Sequence, residues 1–194
     1  YAKIWGELDT AGMVQATARV FGDTVMERTS ASTLVERLTA TVKRQPEATT
    51  LVDRGWHAWM FTERERHSLE SLARRARKAG KKFDGLNQLG DHMLFVAKAH
   101  MERIVLEAFI AAIDATEPGE VRDVLERLCS LYALSSIQAD RGWFADHAKL
   151  SAGRGKAIGA QINALCAELR PEALSLVEGL GIPESWLGAA ILTD

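Results

Sequence analysis

Along most of this chain, apolar residues recur every three or four positions, which is the spacing of one face of an α-helix. Val14, Thr17, Phe21 and Thr24 share one such face, with Met13, Val20 and Val25 beside it. Thr33 and Glu36 have the form of a capping box. The helix it opens would present Leu34, Val35, Leu38 and Val42 and stop at Pro46. From Ala48 to Phe61 the reading is mixed. Leu51, Val52, Trp56, Trp59 and Met60 fit a helix, whereas Gly55 and two threonines lower its propensity. Thr62 and Glu65 form a second possible capping box. It would open a helix with Leu69, Leu72, Ala73 and Ala76 as its stripe and Gly80 as its C-cap.

Further on, Asn87 is the expected cap of the longest helix, running to about Asp114 with Val96, Ala99, Leu106, Ile110 and Ile113 on its apolar face. Thr116-Glu117-Pro118-Gly119 is a turn. Val121, Val124, Leu125, Leu128, Leu131 and Tyr132 then repeat with helical period. Ser151 is placed to cap a helix carrying Ile158, Ile162, Leu165 and Leu169. Pro171 sits at a helix start, where its missing N–H costs little. That last helix is expected to end at Gly181, with a short turn around Trp186 after it. No stretch alternates with the period of a strand, and no repeat is present. The expectation is an all-α helical bundle with mostly short connections.

Composition narrows this only slightly. A chain of 194 residues, 47% hydrophobic and 26% charged, suits a single globular domain with a sizeable core. The net charge of -2 gives no overall basic field for nucleic acid. No apolar run approaches the ~20 residues of a membrane span. Cys129 and Cys166 both lie in apolar helical patterns and are expected to be buried free thiols. The first residue is Tyr1, so the chain is read as a fragment or a processed product.

Candidate chemistry is sparse. Gly153-Arg154-Gly155 with Gly159 has the look of a phosphate loop, but no strand precedes Ser151 and no Ser or Thr follows Lys156. A plain helix entry is expected. Arg74, Arg75, Arg77, Lys78, Lys81 and Lys82 make a basic run that could attract CoA phosphates or nucleic acid. It stands at a helix C-terminus, where the dipole favours cations, and it reads as a solvated face. His92 and His100 are about 80° apart around one helix. No Glu-x-x-His exists to build a di-iron site, so metal is not expected. No Gly-x-Ser-x-Gly elbow occurs, and Ser135 and Ser136 fall mid-helix. Trp56, Trp59 and Phe61 read as an aromatic core cluster. The residues alone therefore reach a helical domain without a self-sufficient catalytic constellation.

Several strings resemble the C-terminal domain of acyl-CoA oxidases. The most specific runs from Leu128 to Ile137, followed by Asp140-Arg141-Gly142-Trp143-Phe144. A second runs from Glu168 to Val177, with Gly181-Ile182-Pro183 after it. A third is Phe61-Thr62-Glu63-Arg64-Glu65, leading into Leu72-Ala73-Arg74-Arg75. A fourth joins Phe83-Asp84, Asn87, Asp91-His92 and Ala99-His100-Met101-Glu102-Arg103. On this resemblance residues 1–194 are one helical domain, with 59–187 the best-matching region and 1–58 a weakly matching lead-in.

The resemblance implies a parent flavoenzyme with FAD, bound mainly by an upstream part built like the acyl-CoA dehydrogenases. A glutamate base takes the α-proton of a fatty acyl-CoA, a hydride passes from the β-carbon to FAD, and oxygen ends as hydrogen peroxide beside trans-2-enoyl-CoA. The Gly-Gly-x-Gly stretch and its catalytic glutamate have no counterpart here, so no catalytic residue is carried over and the chain alone is expected to be inactive. The domain would pack on the upstream domains and steady a homodimer. Asn87, Asp91, His92, His100 and Arg103 are the candidate interface residues. An acyl-CoA dehydrogenase-type fragment and a free-standing helical interaction or ligand-binding module are the alternatives. The last residues, Ile191-Leu192-Thr193-Asp194, differ from a Ser-Lys-Leu signal, and a bacterial cytoplasmic setting is expected over a peroxisomal one.

Overall fold

Asp53 starts the first described helix. Its carboxylate accepts a hydrogen bond from the Trp56 N–H at 2.7 Å, satisfying one of the free donors of the first turn. In the computed structural model, which describes residues 38–39, 50–79, 87–147, 149–183 and 186, the chain then forms α1 (Arg54–Ala79), α2 (Gly90–Ala115), α3 (Glu120–Ala139), α4 (Arg141–Asp146), α5 (Ala152–Leu169), a 3₁₀ turn (Arg170–Glu172) and α6 (Ala173–Gly179). Among the described residues there is no strand, and the fold is all-α. Among the described residues no helix is long and apolar enough to cross a membrane.

α1 lies along α2, and α3 lies along α5. Between them sits a core of Trp56, Met60, Phe61, Leu106, Ile110, Ile113, Ala133, Leu134, Ile137, Phe144 and Ile158, all essentially removed from water. Burying aliphatic and aromatic side chains is worth about 1.5–3 kcal/mol each. Trp56, Trp59 and Phe61 belong to this core, as their spacing suggests.

Several local expectations change. α1 is continuous through Thr62, so Thr62 is no helix start. Thr-x-x-Glu places its two residues on successive turns inside a helix as readily as at its beginning, and Glu65 is drawn to partners on α2 instead. Gly55 supports α1 rather than weakening it. A Cβ there would stand 2.6 Å from the Leu38 carbonyl oxygen, so only glycine admits the passing chain. Asn87 is exposed and does not cap α2. That helix opens at Gly90 with buried Leu89 at the cap position and no side-chain cap.

Gly119, with φ 155°, makes the turn into α3. Ser151 caps α5 as expected, accepting from the Arg154 N–H at 3.4 Å. α6 ends at Gly179, and Gly181 follows in the left-handed conformation with φ 61°. Cys129 is buried, and burial pushes its thiol up to about 11. Cys166 is exposed, against expectation. It follows buried Leu165 by one residue, and a 100° step carries it to the outer face of α5. The expected helices over Met13–Val25 and Thr33–Pro46, the Gly80 cap, and Lys81, Lys82, Phe83 and Asp84 fall outside the described residues, apart from Leu38 and Thr39.

Candidate functional site

On the buried face of α1, His57, Phe61, Arg64 and Ser68 follow one another at helical spacing, and three of the four are polar. Arg64 is the centre. Its side chain is 0% exposed, and its guanidinium donates to Glu102 Oε2 on α2 at 2.5 Å and to Asp140 Oδ2 at 2.5 Å. Asp140 joins α3 to α4, so one side chain fastens α1, α2 and the α3–α4 corner. The Lys98 ammonium sits 3.1 Å from Asp140 Oδ1 and 3.6 Å from Glu102 Oε1, balancing the second negative charge. The rings of Phe61 and Phe144 lie 4.9 Å and 5.6 Å from the guanidinium carbon and keep water away. The Ser68 hydroxyl donates to the Arg64 carbonyl at 2.6 Å. The Tyr132 hydroxyl donates to the Glu102 carbonyl at 3.1 Å.

One residue on, Glu65 makes the mirror arrangement. Its carboxylate is held by two side chains of α2: His100, whose Nδ1 lies 2.6 Å from Oε1, and Arg103. Arg103 also pairs with Glu107. At the surface Glu63 is held by Arg66 at 2.9 Å and Lys149 at 2.8 Å.

Of the candidate interface residues, His100 and Arg103 are therefore engaged within the chain, Asn87 and Asp91 are exposed, and His92 is half-buried. Desolvation, then the nearby Arg75 charge, holds His92 below its ordinary pKa. Sequence reading passed over Arg64, Glu65, Lys98, Glu102 and Asp140 as site residues. The one signal for them was a charged residue at the helical spacing of Met60 and Phe61, where a fourth apolar residue belongs.

Two further groups flank this network. His57 is fully buried, with Nε2 2.6 Å from the Leu51 carbonyl oxygen, and desolvation lowers its pKa to about 4. Trp143 stacks on His147 with ring centroids 4.1 Å apart, and His67 closes on His147 at 4.3 Å. His147 Nδ1 lies 2.7 Å from the Trp143 carbonyl oxygen, which makes Nδ1 the donor.

The remaining candidates resolve simply. Arg154, from the glycine-rich entry to α5, lays its guanidinium 4.4 Å over the Trp56 ring, and a Cβ on Gly155 would stand 3.2 Å from Arg141 Nε. Gly155 thus serves packing against Arg141, while a Cβ on Gly153 or Gly159 would meet nothing within 4 Å. Arg74, Arg75, Arg77 and Lys78 lie on the last turns of α1, all four exposed.

As chemistry, the network directs Glu65, Glu102 and Asp140 each at a cation, an arrangement suited to fixing helices. Among the described residues no group of three or more His, Cys, Asp or Glu lies placed to hold a metal ion. Two surface depressions stand out. One of about 510 Å³ is lined by Ser71, Arg74, Arg75, Arg77 and Lys78; the other, of about 630 Å³, lies between α3 and the Glu172–Leu176 stretch. Neither offers the enclosed apolar walls that would sandwich a flavin ring, so the described residues by themselves do not fit FAD.

The family model "Acyl-CoA oxidase" matches residues 55–192, which takes in all but the first residue of the run from α1 to α6. The chain belongs to the acyl-CoA oxidase family. Acyl-coenzyme A oxidase 3, peroxisomal, of Arabidopsis thaliana is 33% identical over 135 residues, 66% of this chain and 19% of that protein. The acyl-coenzyme A oxidase-like protein of Mus musculus is 30% identical over 106 residues, 55% of this chain and 17% of that protein. Acyl-coenzyme A oxidase 2, peroxisomal, of Arabidopsis thaliana is 28% identical over 127 residues, 64% of this chain and 18% of that protein. This acyl-CoA oxidase-family chain thus spans under a fifth of the length of these relatives. The expected bacterial cytoplasmic setting is overturned, because relatives whose names state a compartment are peroxisomal.

Proposed function

We propose that this chain is the C-terminal helical domain of an FAD-dependent acyl-CoA oxidase that converts fatty acyl-CoA and O2 to trans-2-enoyl-CoA and H2O2 in fatty acid β-oxidation. The observation that carries the reading is the family match over residues 55–192, unbroken from α1 to beyond α6. The names of the relatives point to the peroxisome as the setting.

In this reading FAD and the catalytic base belong to the upstream part, and the domain itself is a support. The Arg64 clamp favours such a role, because three buried or half-buried charges fix the mutual register of α1, α2 and the α3–α4 corner. A rigid block of this kind packs on the upstream domains, steadies a homodimer and keeps bulk water from the flavin and acyl site, where low dielectric strengthens electrostatics. His92, Asn87 and Asp91 are the residues of the candidate interface set left at the surface for such contacts.

The test is a peroxide-coupled assay on the full-length parent with straight-chain acyl-CoA. One peroxide per enoyl-CoA is expected. Turnover that requires an artificial electron acceptor and yields no peroxide contradicts the oxidase reading. Unchanged turnover and dimer stability in His92→Ala with Asp91→Ala contradicts the interface role of those residues.

A further inference from the structure

Where α4 ends against α1, two imidazoles meet. His67 stands in the middle of α1, and His147 is the C-cap of α4. Their ring centroids are 4.3 Å apart and their planes are inclined by 76°. Both side chains are half-buried and so within reach of a small solute. Trp143 stacks on His147 at 4.1 Å and meets His67 edge-on at 5.8 Å, so one indole touches both rings.

The ligand atom of His147 is already settled. Its Nδ1 donates to the Trp143 carbonyl oxygen at 2.7 Å, which leaves the lone pair on Nε2. An imidazole anchored through one N–H to a backbone carbonyl is prepared as metal-ligating histidines usually are. Among the described residues no hydrogen bond occupies either nitrogen of His67. Desolvation, then repulsion from His147, holds His67 below its ordinary pKa, which keeps a lone pair open to an ion at neutral pH. Of the charges around it, Glu70 attracts a cation, Arg66 is already paired with Glu63 and Glu70, and Arg74 opposes. Two imidazoles bound side by side to one ion, with metal–nitrogen bonds of about 2.0–2.1 Å, hold their centroids roughly 4.5 Å apart. The pair here already stands at that separation. The torsion that turns a histidine ring is soft, so His67 can swing a nitrogen to the ion without leaving its partner.

We propose that His67 and His147 together bind one divalent late transition-metal ion, Cu²⁺ before Zn²⁺, with water at its other positions, and that the ion ties α1 to the end of α4. Imidazole nitrogens suit both ions, and the affinity order of nitrogen sites places Cu²⁺ first. The assignment stands apart from the oxidation chemistry proposed above.

The experiment uses the full 194-residue chain with Cys166→Ser, which removes the exposed thiol as a competing ligand. Copper(II) chloride is titrated in at neutral pH while tryptophan emission is read, because Trp143 lies against the site. Saturable quenching at one Cu²⁺ per chain is expected, with electron paramagnetic resonance showing coupling to two nitrogens. His67→Gln and His147→Gln are each expected to weaken binding roughly ten-fold or more with circular dichroism unchanged. His92→Gln, on α2, is expected to leave it unchanged. Saturating Zn²⁺ should raise the melting midpoint of the parent chain and of neither variant.

Cu²⁺ that binds His67→Gln as tightly as the parent overturns the site, and so does coupling to a single nitrogen. A parent chain that takes up no Cu²⁺ at micromolar concentrations overturns it as well and leaves the two rings as packing only. A melting midpoint that Zn²⁺ does not move overturns the tie between α1 and α4. Should His147→Gln fail to fold, the His67→Gln chain and the nitrogen count decide by themselves.

Discussion

Two interfaces hold this domain together by different means. Between α1 and α2 the buried positions include Arg64, bound to Glu102 and Asp140, His100, bound to Glu65, and Ser68, whose hydroxyl donates to the Arg64 carbonyl. Between α3 and α5 they are Ala133, Leu134, Ile137, Ile158 and Leu165. The apolar seam contributes bulk: it tolerates any residue of similar volume, and its energy scales with area. The ionic seam contributes little net energy, since desolvating each charge offsets much of the attraction, but it has one geometry. A helix slipped by a single residue along the apolar seam still buries carbon. The same slip of α1 leaves Arg64 buried without its carboxylates.

The largest effect should come from breaking the ionic seam on one side only. Arg64→Ala is expected to cost about 3–5 kcal/mol in urea unfolding, because Glu102 and Asp140 lose their buried counter-charge. On the apolar seam Leu134→Ala should cost about 2–5 kcal/mol by cavity formation, and Leu134→Met under about 1.5. That conservative tolerance has no counterpart at Arg64, where Arg64→Lys loses the fork that reaches two carboxylates on different helices.

A third effect is pH-dependent. The pKa of His57 in the folded chain, about 4, lies below the ordinary value of 6.5, so the unfolded chain binds the extra proton first. Stability from this group is complete above about pH 6.5 and is lost as pH falls toward 4, by roughly 3 kcal/mol in all. Comparing the unfolding midpoint of the parent chain and His57→Gln across pH 7 to 4 checks it; the substitution should flatten the slope. The smallest effect belongs to the surface. Glu70→Ala removes an exposed i,i+4 pair with Arg66 and should change stability by under about 0.5 kcal/mol, with the change vanishing in high salt.

The apolar seam was legible in the sequence and the ionic seam was not. Leu125, Leu131, Ile158, Ile162 and Leu165 announce their faces by period alone, and Ser151 and the Thr116–Gly119 turn announce where helices begin and end. Arg64 and Glu65 stand in a string that resembles the family, yet their local pattern is ambiguous. Thr62-x-x-Glu65 has the spelling of a helix start, and only the tertiary partners His100 and Arg103, 35 and 38 residues away, show that it lies mid-helix. Asn87 failed as a cap for a similar reason: burial of Leu89 sets the entry to α2. Cys166 was misjudged because a small residue in an apolar pattern carries no sign of which flank of the stripe it occupies. Asp140 pairs with Arg64 across 76 positions, and no local rule reaches that far.

The Arg64 clamp acts as one unit whose worth is register and not net energy. Its most direct measurement is urea unfolding of Arg64→Met alone beside Arg64→Met, Glu102→Gln, Asp140→Asn together. The single substitution should be strongly destabilised and the triple substitution should recover most of the loss, because no buried charge is left unpaired. A triple variant as unstable as the single one, or less stable, would contradict the account and show that the ion pairs themselves supply the stability.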